Sequence, residues 1–169
     1  VVGTNDTIVG GAGTDTLTIT SNATVNSHDL QFVSEIEAIA LNHTPTSAVT
    51  LALYEDNFAI STTNGVTVNG NNATVGYFID ARGITSATKA ISMTATDMDG
   101  ADTVNGGAGN DLIQAGSGDD EVNYLSDIGN DTVYGGDGND LVNFTNVSGS
   151  KLIYGESGND SLYGGVGND

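Results

Sequence analysis

Over the second half of the chain, apolar residues recur once in every nine positions rather than at the spacing of a helix. From Asp97 the sequence divides into DMDGADTVN (97–105), GGAGNDLIQ (106–114), AGSGDDEVN (115–123), SDIGNDTVY (126–134), GGDGNDLVN (135–143), NVSGSKLIY (146–154) and GESGNDSLY (155–163), and GGVGND (164–169) opens another. Tyr124–Leu125 and Phe144–Thr145 stand outside the frame as two-residue insertions. The eighth position holds Val104, Ile113, Val122, Val133, Val142, Ile153 and Leu162, all aliphatic. Strand side chains alternate between faces, so each nine reads as a six-residue turn followed by a three-residue strand with one inward residue. A single such strand cannot bury that residue, but parallel strands stacked as a solenoid can. The same frame fits VVGTNDTIV (1–9) and GGAGTDTLT (10–18).

Residues 19–96 leave the frame but keep a β pattern. Short apolar runs fall at Leu17–Thr20, Ile36–Leu41, 49–54 (VTLALY), 66–69 (VTVN), 75–80 (VGYFID) and 90–96 (AISMTAT). In the third of these, Val49, Leu51 and Leu53 alternate with Thr50 and Ala52, a period of two. Asn-Gly pairs at 64–65 and 69–70 mark turns. Leu30, Val33 and Ile36 lie three apart, so 27–41 could instead form a short helix. Strand entry at Ile36 is the preferred reading, and the chain as a whole reads as all-β. The expected organisation is 1–18, 19–96 and 97–169.

The turns carry the candidate chemistry. Position four is Gly100, Gly109, Gly118, Gly129, Gly138, Gly149 and Gly158. Glycine allows positive φ and a close approach of backbone to a ligand. Position six is an aspartate in every nine from 97 on except NVSGSKLIY, which has Lys151. Carbonyls and carboxylates without His or Cys form an all-oxygen donor set. That set suits a hard cation, and flexible turns favour Ca²⁺ over Mg²⁺. The plainer alternative for these aspartates is Asx-turn hydrogen bonding alone.

GGAGNDLIQ, GGDGNDLVN and GGAGTDTLT resemble the G-G-x-G-x-D-x-U-x nonapeptide of RTX calcium-binding repeats. The resemblance implies a parallel β-roll/β-helix with two nines per coil and Ca²⁺ between a turn and the next but one. It implies as ligands the aspartates together with backbone oxygens of the Gly-rich turns, among them Gly107, Gly109, Gly116, Gly118, Gly136, Gly138 and Gly158. One edge would then stack Asp102, Asp120, Asp140 and Asp160, with about three ions between them. The other would stack Asp111, Asp131, Lys151 and Asp169. There about one ion is expected, between Asp111 and Asp131, and the Lys151 ammonium could replace a cation. Asp6 and Asp15 fall on opposite edges of a first coil and need partner turns elsewhere.

Charge fits this picture. The chain has 22 acidic residues, 3 Lys+Arg and a formal net charge of −19. Residues 97–169 hold 14 acids and Lys151, so 14 − 1 = 13 of those negative charges lie in the repeats. About four Ca²⁺ would cancel eight of them, so folding and metal binding should be coupled. Such acidity argues against nucleic acid, which needs a basic surface. With no cysteine there is no disulfide or thiolate site, and no apolar run is long enough for a spanning helix. Both ends fall inside repeats, so the sequence reads as part of a longer chain with targeting signals elsewhere.

FVSEIEAIALN (32–42) and the stretch from Ile79 to Ile113 resemble segments beside RTX repeats in bacterial surface-layer proteins. This implies that 19–96 continues the solenoid as non-calcium rungs with Thr- and Ala-rich faces outward; a separate inserted β domain is the alternative. It also implies a non-catalytic, secreted cell-surface subunit that self-associates into a lattice, with a polysaccharide anchor elsewhere and export by a type I system. The alternatives are the calcium module of a secreted enzyme or toxin, and an adhesin stalk.

Catalytic constellations are not evident. His28–Asp29 with Ser27 or Ser34 has nothing to assemble it into a triad. Glu35 and Glu37 are expected on the solvent side of a strand, unlike a glycosidase pair facing across a cleft. The run from Asp97 to Gly100 puts glycine at loop position four rather than six, and Ala108 where an EF-hand closes with Glu. No phosphate-loop signature occurs.

Overall fold

The computed structural model describes residues 7–20, 29–30, 32–41, 49–54, 58–59, 66–70, 75–86, 88, 91–94, 98–124 and 128–169. The described residues form strands, turns and bends and no helix, so the helical alternative for 27–41 does not hold where that segment is described. Two long sheets build the body. One stacks Thr16–Ile19, Ala38–Leu41, Val66–Asn69, Ile91–Thr94, Leu112–Ser117, Asp131–Asp137 and Lys151–Ser157 in that order. The other stacks Val49–Tyr54, Tyr77–Gly83, Thr103–Asn105, Glu121–Asn123, Leu141–Asn143 and Ser161–Tyr163. A short third sheet joins Ile8–Val9, Val33–Ser34 and Phe58–Ala59. Every pairing among the described residues is parallel. The architecture is an all-β parallel roll.

Successive nines send their strands alternately to the two sheets, so two nines make one coil. Thr103 pairs with Glu121, a step of 18, and Glu121 with Leu141, a step of 20 that absorbs the Tyr124–Leu125 insertion. The eighth positions stay in register through these steps: Val104, Val122, Val142 and Leu162 on one sheet, Ile113, Val133 and Ile153 on the other. All but Ile153 and Leu162 are fully buried in one core. Removing each such side chain from water stabilises the stack by roughly 1.5–3 kcal/mol.

Several expectations need correction. The strand expected from Ile36 starts at Ala38, because Glu35 has a left-handed φ of 57° and turns the chain just before it. The strand expected at Leu17–Thr20 is Thr16–Ile19, and the one expected at 75–80 is Tyr77–Gly83, longer at its far end. The run at 90–96 is strand at Ile91–Thr94, and its remaining residues lie outside the described set. The three-residue strand holds only on one sheet, since Asp131–Asp137 and Lys151–Ser157 continue pairing through the glycines that follow the apolar residue. Leu162, expected inward, is 43 % exposed in the last coil. Ala81, expected on an outward face, is buried.

The first residue of each insertion enters the core. Tyr124 and Phe144, one coil apart, are both buried, with ring centroids 4.4 Å apart and an 18° interplanar angle.

Candidate metal centre

The Gly-rich turns stack along two edges. On the first edge, the turn of Asp102 lies beneath that of Asp120, then those of Asp140 and Asp160. The row is tied by a repeated hydrogen bond. The Asp102 amide donates to Asp120 Oδ1 (2.7 Å), the Asp120 amide to Asp140 Oδ1 (2.9 Å) and the Asp140 amide to Asp160 Oδ1 (3.0 Å). At the other end of the row, the Tyr77 amide donates to Asp102 Oδ1. Each carboxylate thus has one oxygen engaged. The second, Oδ2, is buried and without a hydrogen-bond partner at Asp102, Asp120 and Asp140.

Glycine is required here for two reasons. Gly136 and Gly138 have φ of 117° and 145°, and Gly116 and Gly118 one coil earlier have 106° and 141°. A Cβ at Gly138 would collide with the Gly118 carbonyl oxygen, one at Gly118 with that of Gly100, and one at Gly158 with that of Gly138. The turns therefore bring carbonyl oxygens into the stack beside the buried carboxylates.

The electrostatics of the row are unfavourable without a cation. Burial lifts the Asp102 carboxyl from its ordinary 3.8 to about 7; the Tyr77 hydrogen bond opposes this and the Asp120 charge adds to it. Asp120 rises to about 6, chiefly by burial, with the Asp140 charge contributing. Asp140 is raised by burial and by Asp160. Buried carboxylates with orphaned oxygens, carbonyls alongside and no nitrogen or sulfur donor fit a hard divalent cation, Ca²⁺ above all.

The second edge differs. The Asp111 amide donates to Asp131 Oδ1 (2.8 Å), continuing the same ladder, but Asp111 Oδ2 accepts from the Gly107 amide at 3.1 Å. Gly109 is buried in the same turn. In the next turn Lys151 fills the interior. Its Nζ lies 2.6 Å from Gly129 O, 2.7 Å from Asp131 Oδ2 and 3.0 Å from Ser148 O, wholly buried, and 5.1 Å from the Phe144 ring centroid. Its amide donates to Asp169 Oδ1 at 3.0 Å.

Of the first-coil pair, Asp6 lies outside the described residues. Asp15 is described, and its Oδ2 is also buried without a partner. Its amide donates to Glu37 Oε2 at 2.9 Å. Glu37 does not face solvent from within a strand, as alternation predicts; it precedes the strand and is half-buried over the Asp15 turn.

Position five also carries a ladder, which the nine-residue pattern of glycine, aspartate and aliphatic residue does not predict. The Asn139 amide donates to Asp119 Oδ1 (2.7 Å) and the Asn159 amide to Asn139 Oδ1 (3.1 Å). On the second edge the Asn130 amide donates to Asn110 Oδ1 and the Ser150 amide to Asn130 Oδ1, both 2.8 Å. These bonds run from a coil to the preceding one, opposite to the position-six bonds. Its signal in the sequence is the recurrent Asn before Asp.

Comparison with known proteins agrees with this geometry. The family model of the RTX calcium-binding nonapeptide repeat matches the chain in four copies, at residues 3–18, 96–128, 125–145 and 152–169. No curated protein and no solved structure matches the chain.

Proposed function

The chain is an RTX repeat protein, and from that premise we propose that residues 97–169 form a calcium-stapled roll that folds as it binds the ion. RTX repeats bind Ca²⁺ and mark a calcium-binding region of a secreted protein. The proposed ligands on the first edge are Asp102, Asp120, Asp140 and Asp160 with carbonyl oxygens of the glycine turns, holding about three ions. Asp111 and Asp131 with the turn of Gly107 and Gly109 would hold about one more. The observation that carries this reading is the row of buried, unpartnered Oδ2 atoms at Asp102, Asp120 and Asp140. In this reading 1–18 is a repeat coil, 19–96 a set of rungs outside the calcium repeat, and 97–169 the main calcium roll.

The role of such a segment is mechanical. Calcium outside the cell would neutralise the acid rows and order the rod after export. Its finer placement is a lattice-forming subunit of a bacterial surface layer, supported by the segment 32–42 and the approach to the repeats from Ile79. Circular dichroism tests the core of the proposal. Chelator should remove the β signal and calcium restore it; an unchanged spectrum rejects coupled folding. Electron microscopy of the calcium-loaded chain tests the lattice, and particles that stay single at high concentration reject it.

A further inference from the structure

The turn before Thr16 has the backbone of the aspartate row but no aspartate turn stacked on it. Gly11 and Gly13 have φ of 99° and 137°, close to the 106° and 141° of Gly116 and Gly118. Asp15 ends this turn as Asp120 ends the other, with Oδ2 buried and unpartnered. Its amide donates to a carboxylate of the next coil, as the Asp120 amide does. Here the acceptor is Glu37 Oε2.

Register explains the substitution. Thr16 pairs with Ala38, so Asp15 and Glu37 immediately precede paired strand residues. Asp102 and Asp120 hold the same relation to Thr103 and Glu121. The turn 32–37 thus ends in an acid at the position a repeat would give to aspartate. Val33 and Ser34 pair with Ile8 and Val9, so Glu35, with a positive φ of 57°, stands opposite Gly10, the first residue of the repeat turn. The space above Gly10 is bounded by the Asp15 carboxyl and the Glu35 carbonyl oxygen. Above Gly135 the corresponding space is bounded by Asp140 Oδ2 and the Gly155 carbonyl oxygen. Two different turns therefore each set a carboxyl and a carbonyl oxygen of the next coil around a glycine.

We propose that a Ca²⁺ ion binds between the turns 10–15 and 32–37, held by Asp15 Oδ2, the Glu37 carboxylate and the Glu35 carbonyl oxygen. The longer Glu37 side chain spans what a shorter aspartate spans in the repeats, because its turn does not follow the repeat backbone. The matched repeat ends at residue 18, so 32–37 lies outside it. The ion would clamp the first coil to the non-repeat rungs. This inference rests on the proposed function, since it assigns one more ion of the same chemistry.

Calcium titration of the whole 169-residue chain by calorimetry tests it. Glu37→Gln and Asp15→Asn should each lower the stoichiometry by about one ion per chain. Glu121→Gln, at an exposed strand position outside every proposed site, should leave it unchanged. Full stoichiometry in Glu37→Gln overturns the site. If the variants fold poorly, hydrogen exchange on the unaltered chain decides. Calcium should slow the amides of Gly13, Asp15 and Glu37; protection confined to 97–169 overturns the site while leaving the repeat ions in place. Absence of any calcium uptake by the unaltered chain overturns this site and the proposed function together.

Discussion

Lys151 Nζ lies 2.7 Å from Asp131 Oδ2 inside a turn stack, both side chains wholly buried. With the Gly129 and Ser148 carbonyls, the ammonium receives three oxygens where the other edge presents orphaned carboxylates. It is a covalently attached cation in a cage of metal-type donors. Removing one partner of a buried pair strands the other, at a cost of about 3–5 kcal/mol. Lys151→Met should therefore destabilise the protein by about 3 kcal/mol in urea unfolding at a calcium level just sufficient to fold the parent. Raising calcium should recover part of the loss, because Asp131 and the carbonyls become available to the ion. A variant as stable as the parent at the lower calcium level would show that the ammonium does not hold these coils.

Glycine substitutions separate strain from collision. Gly13 has φ of 137°, but a methyl group at its α-carbon would meet nothing within 4 Å, whereas one at Gly138, φ 145°, would strike the Gly118 carbonyl. Gly13→Ala should cost only the backbone strain, about 1–3 kcal/mol. Gly138→Ala should cost more, since the coil spacing itself must open. Thermal unfolding in calcium ranks the two; equal shifts would mean that the close stacking of turns is not limiting.

The sequence discloses the parts of this fold that repeat. Val104, Val122 and Val142 are paired strand neighbours because a fixed period forces identical positions into register. The same logic locates the row from Asp102 to Asp160. What it conceals depends on contacts between unlike segments. Tyr124 and Phe144 look like interruptions of the frame, yet their rings stack in the core. The insertion length sets the coil step, and only three dimensions show that Tyr124 and Phe144 point inward. Strand alternation begun at Ile36 sends Glu37 to solvent. The positive φ of Glu35, a conformation that sequence pattern favours only for glycine, shifts the strand start to Ala38 and brings Glu37 over the Asp15 turn instead.

Metal removal by mutation should be unequal along the edges. The Asp120 carboxylate lies between the turns of Asp102 and Asp140 and belongs to two proposed sites, whereas Asp169 faces Lys151. Asp120→Ala should lower calcium stoichiometry by about two ions and Asp169→Ala by none, read by calorimetric titration of the folded, calcium-loaded chain. Equal losses would contradict the assignment of ions to edges.

Acid should partly replace calcium. The carboxyl of Asp102 stands at about 7 and that of Asp120 at about 6 in the metal-free fold, against an ordinary 3.8, chiefly because burial penalises their charged form. A group whose folded pKa exceeds its unfolded value contributes stability that is complete below the unfolded pKa and is lost as pH rises through the folded one. For Asp102 and Asp120 that window runs from near pH 4 up to about pH 6–7. Chelated protein should therefore show more β signal at pH 5 than at pH 8. Calcium-loaded protein should instead melt at a higher temperature at pH 8, since the ion must displace protons from the same oxygens. Circular dichroism of the chelated protein and melting curves of the calcium-loaded one, each at the two pH values, test both signs. Chelated protein with more β signal at pH 8 would mean that the aspartate row does not carry the strain assigned to it.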